Sequence, residues 1–504
     1  MRATINRMML GIMAGCLVMT SVAFAQQETT QYVSHDMVTA YGMAGQAQEQ
    51  YVPNQPPAIY TNSSYQVGDP LAQAEYAYSQ QMVYNDGGFY GDYYAYGYQP
   101  CVTSSYRPGL TCGPWYVGGW IDQGATWSIS ESNTKQNHLP MKFNDRLNEY
   151  QLNQLYLTMG RSVANSGCNW DAGGRVDLLY GSDYLWTSAI GLETYASDAG
   201  SFYEDPASLP SRWNGNGPRV HGASRFGLAM PQLYAEFFVP VHYGLNIKAG
   251  HFYSIMGYES VMSPQNFFYS HSYSMMYGQP MTHTGILFSQ KLTPRLTGIF
   301  GVTRGWDTWE DPNKKLSYLA GFRWNSWDGR TEFSWVAGSG NETVRDRIGG
   351  TSLSGAIRSN YSMVLSHQLA PRLKVVTQHD MGYEKDASFG SRYNSFDGHW
   401  YSFSQYVFYQ LTNKLTLGAR GEWFRDVNHS RIYQYYPVDE VVGSDYSAVT
   451  VGLNWKPYDC LIVRPEARWD WSGVCSPSNQ VDGIYNNLSR KSQTTASLSA
   501  TVTF

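Results

Sequence analysis

Charge is scarce in this 504-residue chain, where 15% of residues are Asp, Glu, Lys or Arg, against about 25% in an ordinary soluble domain. Long apolar runs are scarcer still. At a mean hydropathy of -0.40, only the extreme N-terminus approaches the roughly 20 apolar residues a transmembrane helix needs, which excludes a polytopic helical membrane protein. A net charge of -5 and a pI near 6.1 leave out the basic footprint of a nucleic-acid-binding domain. No cysteine lies in a C-x-x-C pair, so structural zinc is not expected. Nor is there an H-E-x-x-H, P-loop, G-x-S-x-G or dinucleotide fingerprint. The expectation is therefore no enzyme, no cofactor and no metal. What is abundant is aromatic and small: 15% aromatic residues, with 41 tyrosines, and 49 glycines.

Residues 1–25 read as a secretory signal. Arg2 and Arg7 form the charged region, Met8 to Thr20 the apolar core, and Ala23-Phe24-Ala25 the cleavage site. A lipoprotein box at Met13-Ala14-Gly15-Cys16 is the weaker alternative, because the apolar run continues past Cys16. After cleavage five cysteines remain, Cys101, Cys112, Cys168, Cys460 and Cys475. An odd number in an oxidising compartment leaves at least one unpaired within the chain.

The mature chain divides in composition. From Gln26 to Pro100 there is no Lys or Arg, and the seven acids are Glu28, Asp36, Glu49, Asp69, Glu75, Asp86 and Asp92. Gln, Tyr, Gly and Pro dominate this stretch, so residues 26–114 read as a disordered arm, probed by no periodic aliphatic pattern. Residues 101–504 carry no net charge, and from about 115 the dominant period is two. Leu415, Leu417, Ala419, Gly421 and Trp423 share one face against Thr416, Gly418, Arg420 and Glu422. Leu461, Val463, Ala467, Trp469 and Trp471 likewise oppose Arg464, Glu466, Arg468 and Asp470.

A turn recurs between such runs: Leu292-Thr293-Pro294-Arg295-Leu296, Leu369-Ala370-Pro371-Arg372-Leu373 and Leu411-Thr412-Asn413-Lys414-Leu415. Short turns alternate with excursions of roughly ten to forty-five residues, as in transmembrane β-barrels. The fold class predicted is all-β, an antiparallel up-and-down barrel over residues 115–504. It has about sixteen strands, 14 to 18 being compatible, running from 115–127 to 492–504. The last strand ends on Phe504, an aromatic terminus of the kind that serves exported barrels as an assembly signal.

In such a barrel the apolar face meets lipid, Trp and Tyr mark the headgroup levels, and the charged face lines a wet lumen. The lumen candidates are Arg175, Lys248, Arg323, Lys374, Arg420, Arg464 and Arg468, with Asp177, Glu236, Glu332, Asp380, Glu422, Glu466 and Asp470. Seven of each sign predict little net charge selectivity. Cys460 and Cys475 would lie at opposite ends of a strand roughly 40 Å long, too far apart to bridge. Pairing of Cys101 with Cys112, leaving Cys475 unpaired, is the expectation.

Gln232-Leu-Tyr-Ala-Glu-Phe-Phe, Lys248-Ala-Gly-His-Phe-Tyr-Ser-Ile-Met-Gly-Tyr-Glu-Ser, Ser263-Pro-Gln-Asn-Phe-Phe-Tyr-Ser-His-Ser-Tyr and Gly278-Gln-Pro-Met-Thr-His-Thr-Gly285 resemble a family of OmpL-like outer-membrane β-barrel porins abundant in planctomycetes. The resemblance covers residues from about 115 to the end. It implies residence in the cell outer membrane, passive diffusion of small hydrophilic solutes or ions, and no catalytic residues. Outer-membrane lipid and the barrel-assembly machinery are the expected partners, with no nucleic acid and with a homo-oligomer left open. The loop from Met256 to Met281, with Gln265, Asn266, Tyr269, His271 and Tyr273, suits a constriction folded into the lumen, an external loop being the alternative. His271, Met275, Met276, Met281 and His283 also read, less well, as a soft copper site. Rival functions are a secreted soluble propeller or carbohydrate-binding protein, since a spacing near 42 residues also fits a blade, and a non-conducting barrel used for adhesion or enzymology.

Overall fold

The computed structural model describes residues 110–112, 114–129, 136–138, 140–163, 168–194, 212–213, 225–310, 315–342, 357–387, 396–427, 430–432, 443–474 and 483–504. The signal, the arm up to residue 109, Cys101 and Cys475 lie outside these residues.

Sixteen antiparallel strands close into one barrel. They are β1 (Trp115–Ser128), β2 (Glu149–Arg161), β3 (Asp171–Gly181), β4 (Gly227–Val239), β5 (Leu245–Tyr253), β6 (Thr282–Thr293), β7 (Leu296–Thr303) and β8 (Ser317–Asn325). The second half comprises β9 (Thr331–Asn341), β10 (Ile357–Ala370), β11 (Leu373–Ala387), β12 (Phe396–Thr412), β13 (Leu415–Asp426), β14 (Ser444–Tyr458), β15 (Leu461–Ser472) and β16 (Ser492–Thr503). Each strand pairs with its neighbours in sequence, and β16 returns to β1 in the register Thr495↔Ser128 through Thr503↔Trp120. Closure leaves no open edge, the condition for spanning hydrocarbon. A propeller is not the fold.

Short connections lie at one end and long ones at the other. In the recurring turn, Thr293 Oγ1 accepts from the backbone N–H groups of Arg295 and Leu296 at 3.2 and 3.0 Å. Thr412 Oγ1 accepts from Lys414 N at 3.2 Å. The hydroxyl satisfies donors that a two-residue reversal leaves without ladder partners. All three copies also carry a register shift at the same place, between Leu296 and Thr297, Gln368 and Ala370, and Gln410 and Thr412.

The period-two faces divide as sequence requires. Leu417, Val449, Val451, Trp469, Trp471, Leu498 and Val502 are exposed on the outer surface. Their neighbours Arg420, Thr450, Arg464, Arg468 and Thr501 are buried inside. The outside is thus apolar at a depth where water is absent, and the polar faces satisfy one another within.

One quarter of the interior departs from the wet lumen expected. On β6 to β9, Leu287, Ile299, Leu319 and Val336 point inward and form a buried cluster with Phe252, Ile255 and Met256. Outward Ile286, Phe300 and Tyr318 stand beside them, so these strands are apolar on both faces. The cause is a loop packed against their inner side, which makes that wall a core rather than a channel lining.

Candidate functional site: a loop held inside the barrel

The connection between β5 and β6, residues 254–281, is buried at every position except Tyr258, Pro264, Gln265 and Phe267, which are half-buried. It is irregular chain apart from a 3-10 turn at Ser263–Gln265 and a π-helical turn at Ser274–Gly278. Irregular backbone at membrane depth is tolerated only where protein or water satisfies it. Here the barrel wall does so, and charged side chains supply most of the bonds.

On one side wall carboxylates capture the loop's N–H groups. Glu466 on β15 accepts from Tyr269 N at 2.8 Å and Ser270 N at 3.1 Å. Glu422 on β13 accepts from Tyr273 N at 2.6 Å. Wall arginines capture the loop's carbonyls. Arg464 donates to Ser263 O at 2.8 Å and Asn266 O at 3.2 Å, Arg420 to Ser270 O at 2.8 Å, and Arg468 to His271 O at 3.0 Å.

The loop also reaches the strands that flank these on either side. Gln154 on β2 donates to Val261 O at 2.8 Å, and Tyr269 Oη donates to Asn153 at 2.8 Å. Gln378 on β11 accepts from Tyr258 N at 2.9 Å, Asp380 accepts from Ser274 Oγ, and Trp400 on β12 donates to Gly278 O at 3.1 Å. The loop therefore runs from β5 and β6 across the lumen and is fastened along the arc of strands from β11 round to β2. Wall glycines make room for its rings: a Cβ at Gly418 would sit 2.2 Å from Phe267, and one at Gly124 2.7 Å from Tyr269.

Most charges in this middle layer are paired, while Asp380 and Glu466 accept hydrogen bonds from hydroxyl and backbone N–H groups. Arg420 meets Glu259 of the loop at 2.7 Å and Glu422 at 3.2 Å. Arg468 meets Glu422 at 2.9 Å and Asp470 at 2.8 Å. Arg464 meets Asp122 at 2.7 Å, and Arg175 meets Asp177 at 2.8 Å. Charges taken out of water are stable only when compensated in this way.

The fourteen lumen candidates separate by depth. Asp177, Asp380, Arg420, Glu422, Arg464, Glu466, Arg468 and Asp470 are buried in the middle layer, and Arg175 is nearly so. Glu236, Lys248, Arg323, Glu332 and Lys374 also face inward but are half-buried, near the short-turn end. Of the loop candidates, Asn266 accepts from Ser260 N at 2.9 Å, His271 stands 3.4 Å from Glu259, and Tyr273 Oη donates to Asp470 at 3.0 Å. Gln265 takes no part in the wall bonds described above.

Met276 lies in one buried apolar cluster and Met275 and Met281 in another. Cys168 and Cys460 are free and exposed.

Sequence reasoning passed over Asp122, Glu259, Lys291 and Lys456. Three of these were accessible to it: Asp122 continues the inward parity of Gly124 and Thr126, while Lys291 and Lys456 continue that of Ser289 and Asn454. Glu259 sits in irregular chain, where no period marks a face.

At the long-loop end, burial pushes the carboxyls of Asp145 and Asp183 up to about 6. Asp183 accepts from Asn153 at 2.9 Å and Gln154 at 2.8 Å. The folded barrel binds these protons more tightly than the unfolded chain. Their contribution to stability is therefore lost as pH rises from about 4 to about 6.

An apolar-coated, closed strand barrel with a polar interior and a loop fastened across it is an outer-membrane barrel of the porin class. The model for the family "Putative beta-barrel porin-2, OmpL-like" matches residues 114–504, and the chain belongs to that family. It is an outer-membrane porin. Among solved structures it is similar to the outer membrane channel DcaP of Acinetobacter baumannii, at 9% identity, covering 81% of this chain and 100% of that one, with a TM-score of 0.48. It is also similar to OprB of Pseudomonas putida, at 11% identity, 80% and 100% coverage and a TM-score of 0.47. An anion-selective porin from Comamonas acidovorans is similar at 8% identity, 77% and 99% coverage and a TM-score of 0.46. No curated protein matches the sequence.

Proposed function

We propose that small hydrophilic solutes and ions diffuse through this barrel along a path whose bore is set by the loop 254–281, with little net preference for charge and no catalytic step. The fastening of that loop, which springs from β5 and β6, to charged groups on β13 and β15 across the lumen carries the reading. One ion pair, Arg420 with Glu259, joins wall to loop and the others lie within the wall, so the middle layer presents transverse dipoles to a solute rather than isolated charges. Arg175, Asp177, Asp380, Arg420, Glu422, Arg464, Glu466, Arg468 and Asp470 would border this narrow section. Glu236, Lys248, Arg323, Glu332 and Lys374 would line the vestibule on the short-turn, periplasmic side.

Purified full chain in a planar bilayer is expected to give discrete conductance steps. Under a tenfold salt gradient the reversal potential should sit near zero, far from the about 59 mV of a perfectly selective pore. A barrel that inserts and shows no steps would point instead to adhesion or enzymology.

The carboxy-terminal residue has a proposed role of its own, as a signal read by the barrel-assembly machinery. Phe504 N donates to Gly119 O at 2.9 Å and Phe504 O accepts from Gly119 N at 2.8 Å, while the residue stays exposed on the outer surface. Deletion of Phe504 is expected to cut the yield of folded barrel in outer-membrane fractions about tenfold, with refolding in detergent changed far less, because one residue contributes little to a seam of this length. An unchanged membrane yield would remove the role.

A further inference from the structure

Asp183 lies just beyond β3 and immediately precedes the short helix Tyr184–Thr187. An Asp at that position ordinarily caps the helix by accepting from its first free N–H groups. Here the side chain makes no capping bond and turns to β2 instead. One carboxylate oxygen accepts from Asn153 Nδ2 at 2.9 Å and the other from Gln154 Nε2 at 2.8 Å. All three residues are buried.

Both amides also hold the loop 254–281. Asn153 Oδ1 accepts from Tyr269 Oη at 2.8 Å. Gln154 Nε2 donates to Val261 O at 2.8 Å, and Gln154 Oε1 accepts from Ser263 N at 3.3 Å. An amide that turns over exchanges its donor for its acceptor, and would then offer the loop the wrong group. An ionised carboxylate, which accepts at both oxygens and donates nothing, fixes both amides with their N–H groups toward it. A protonated carboxyl, or an Asn in its place, presents a donor to one of the two amides and unseats it.

Other ionisable groups act on Asp183 from β1 and from the loop. Asp122 on β1, ion-paired with Arg464 at 2.7 Å, disfavours its negative charge, and His271 of the loop, 3.4 Å from Glu259, favours it. Tyr269 stands in the same field. The helix packs on β3 and β4, whose charged groups Asp171, Arg175, Asp177 and Glu236 lie deeper, toward the short turns. Burial pushes the Asp183 carboxyl up to about 6, against the two amides, which favour the ionised form.

We infer that Asp183 is a positioning residue for the loop 254–281: its carboxylate fixes the two β2 amides that hold the loop, and its protonation loosens them. The consequence for the bore rests on the proposed role of that loop in conduction. The positioning itself does not.

Hydrogen exchange of the full chain in detergent, read by mass spectrometry over residues 260–270, tests the positioning without current. Near pH 8, Asp183→Asn is expected to exchange there about fivefold faster than wild type, the effect of losing roughly one hydrogen bond. At about pH 4.5, where the wild-type carboxyl is protonated too, the two should coincide. No difference near pH 8, or a difference that persists at low pH, would overturn the inference. So would an equal effect from Asp145→Asn, which removes a neighbouring buried carboxylate bonded to Gln151 instead. If Asp183→Asn gives no heat-modifiable barrel, wild type alone carries the test. Its protection over 260–270, corrected for intrinsic rates, must fall about fivefold between these pH values, and constant protection overturns the inference. In bilayers, larger and noisier steps from Asp183→Asn near pH 8 should likewise merge with wild type at low pH. If no form conducts, the porin reading fails while exchange still decides the role of Asp183.

Discussion

Deletion of Gln265 to Met276 is expected to raise single-channel conductance several-fold and to leave the barrel assembled. The deleted stretch contains the N–H groups that Glu466 and Glu422 capture and the carbonyls that Arg464, Arg420 and Arg468 hold. It also carries Phe267 and Tyr269, the rings seated over Gly418 and Gly124. With it gone, the charged layer on β13 and β15 faces water instead of backbone. The wall pairs Arg468–Asp470 and Arg464–Asp122 survive, so no wall arginine in this layer is stranded, and hydration replaces the lost loop bonds. Barrel closure depends on the strand ladders, none of which runs through the loop. Conductance per step, recorded with heat-modifiable gel mobility as a check on folding, is the measurement. An unchanged step size from a folded barrel would mean that the loop does not set the bore.

How far the sequence foretells this arrangement follows from where periodicity operates. The barrel was legible because a strand with one face in lipid and one inside must alternate. The Arg464-Glu466-Arg468-Asp470 run could take no other orientation without placing four charges in hydrocarbon. The strand endpoints were equally legible at the Thr-Pro-Arg and Thr-Asn-Lys turns, where the chemistry is local. On β6 to β9 the alternation reads weakly, since Ile286 and Leu287, or Phe300 and Ile299, are apolar on both faces. A buried loop supplies the missing partner for the inner face, and no single strand records its presence. The same limit hid Glu259. Its role comes from Arg420, which lies 161 positions away in the chain. A sum of lumen charges, for a related reason, carries no depth. The structure places buried charges at the middle and half-buried ones toward the short turns.

Replacement of Arg420 by Met is the most disruptive single change expected in the loop-wall contact. Its guanidinium donates to Glu259 Oε1 at 2.7 Å, Ser270 O at 2.8 Å, Ser270 Oγ at 3.2 Å and Thr450 Oγ1 at 3.2 Å. The residue is fully buried. Glu422 keeps Arg468 when Arg420 is lost, but Glu259 retains only His271, Ser272 N and Tyr406 as neighbours. Breaking a buried pair from one side costs about 3–5 kcal/mol, because the remaining charge stays uncompensated. Releasing the loop into the lumen water costs less than unfolding sixteen closed strands, so the loop gives way first. Arg420→Met should therefore show larger and noisier conductance steps, with only a modest fall in the barrel's unfolding temperature. Adding Glu259→Gln should restore much of the quiet, wild-type step, since the stranded carboxylate is then gone. A double-mutant cycle on step size and noise reads the coupling directly. Additive effects would show that Arg420 and Glu259 do not act together in holding the loop across the lumen.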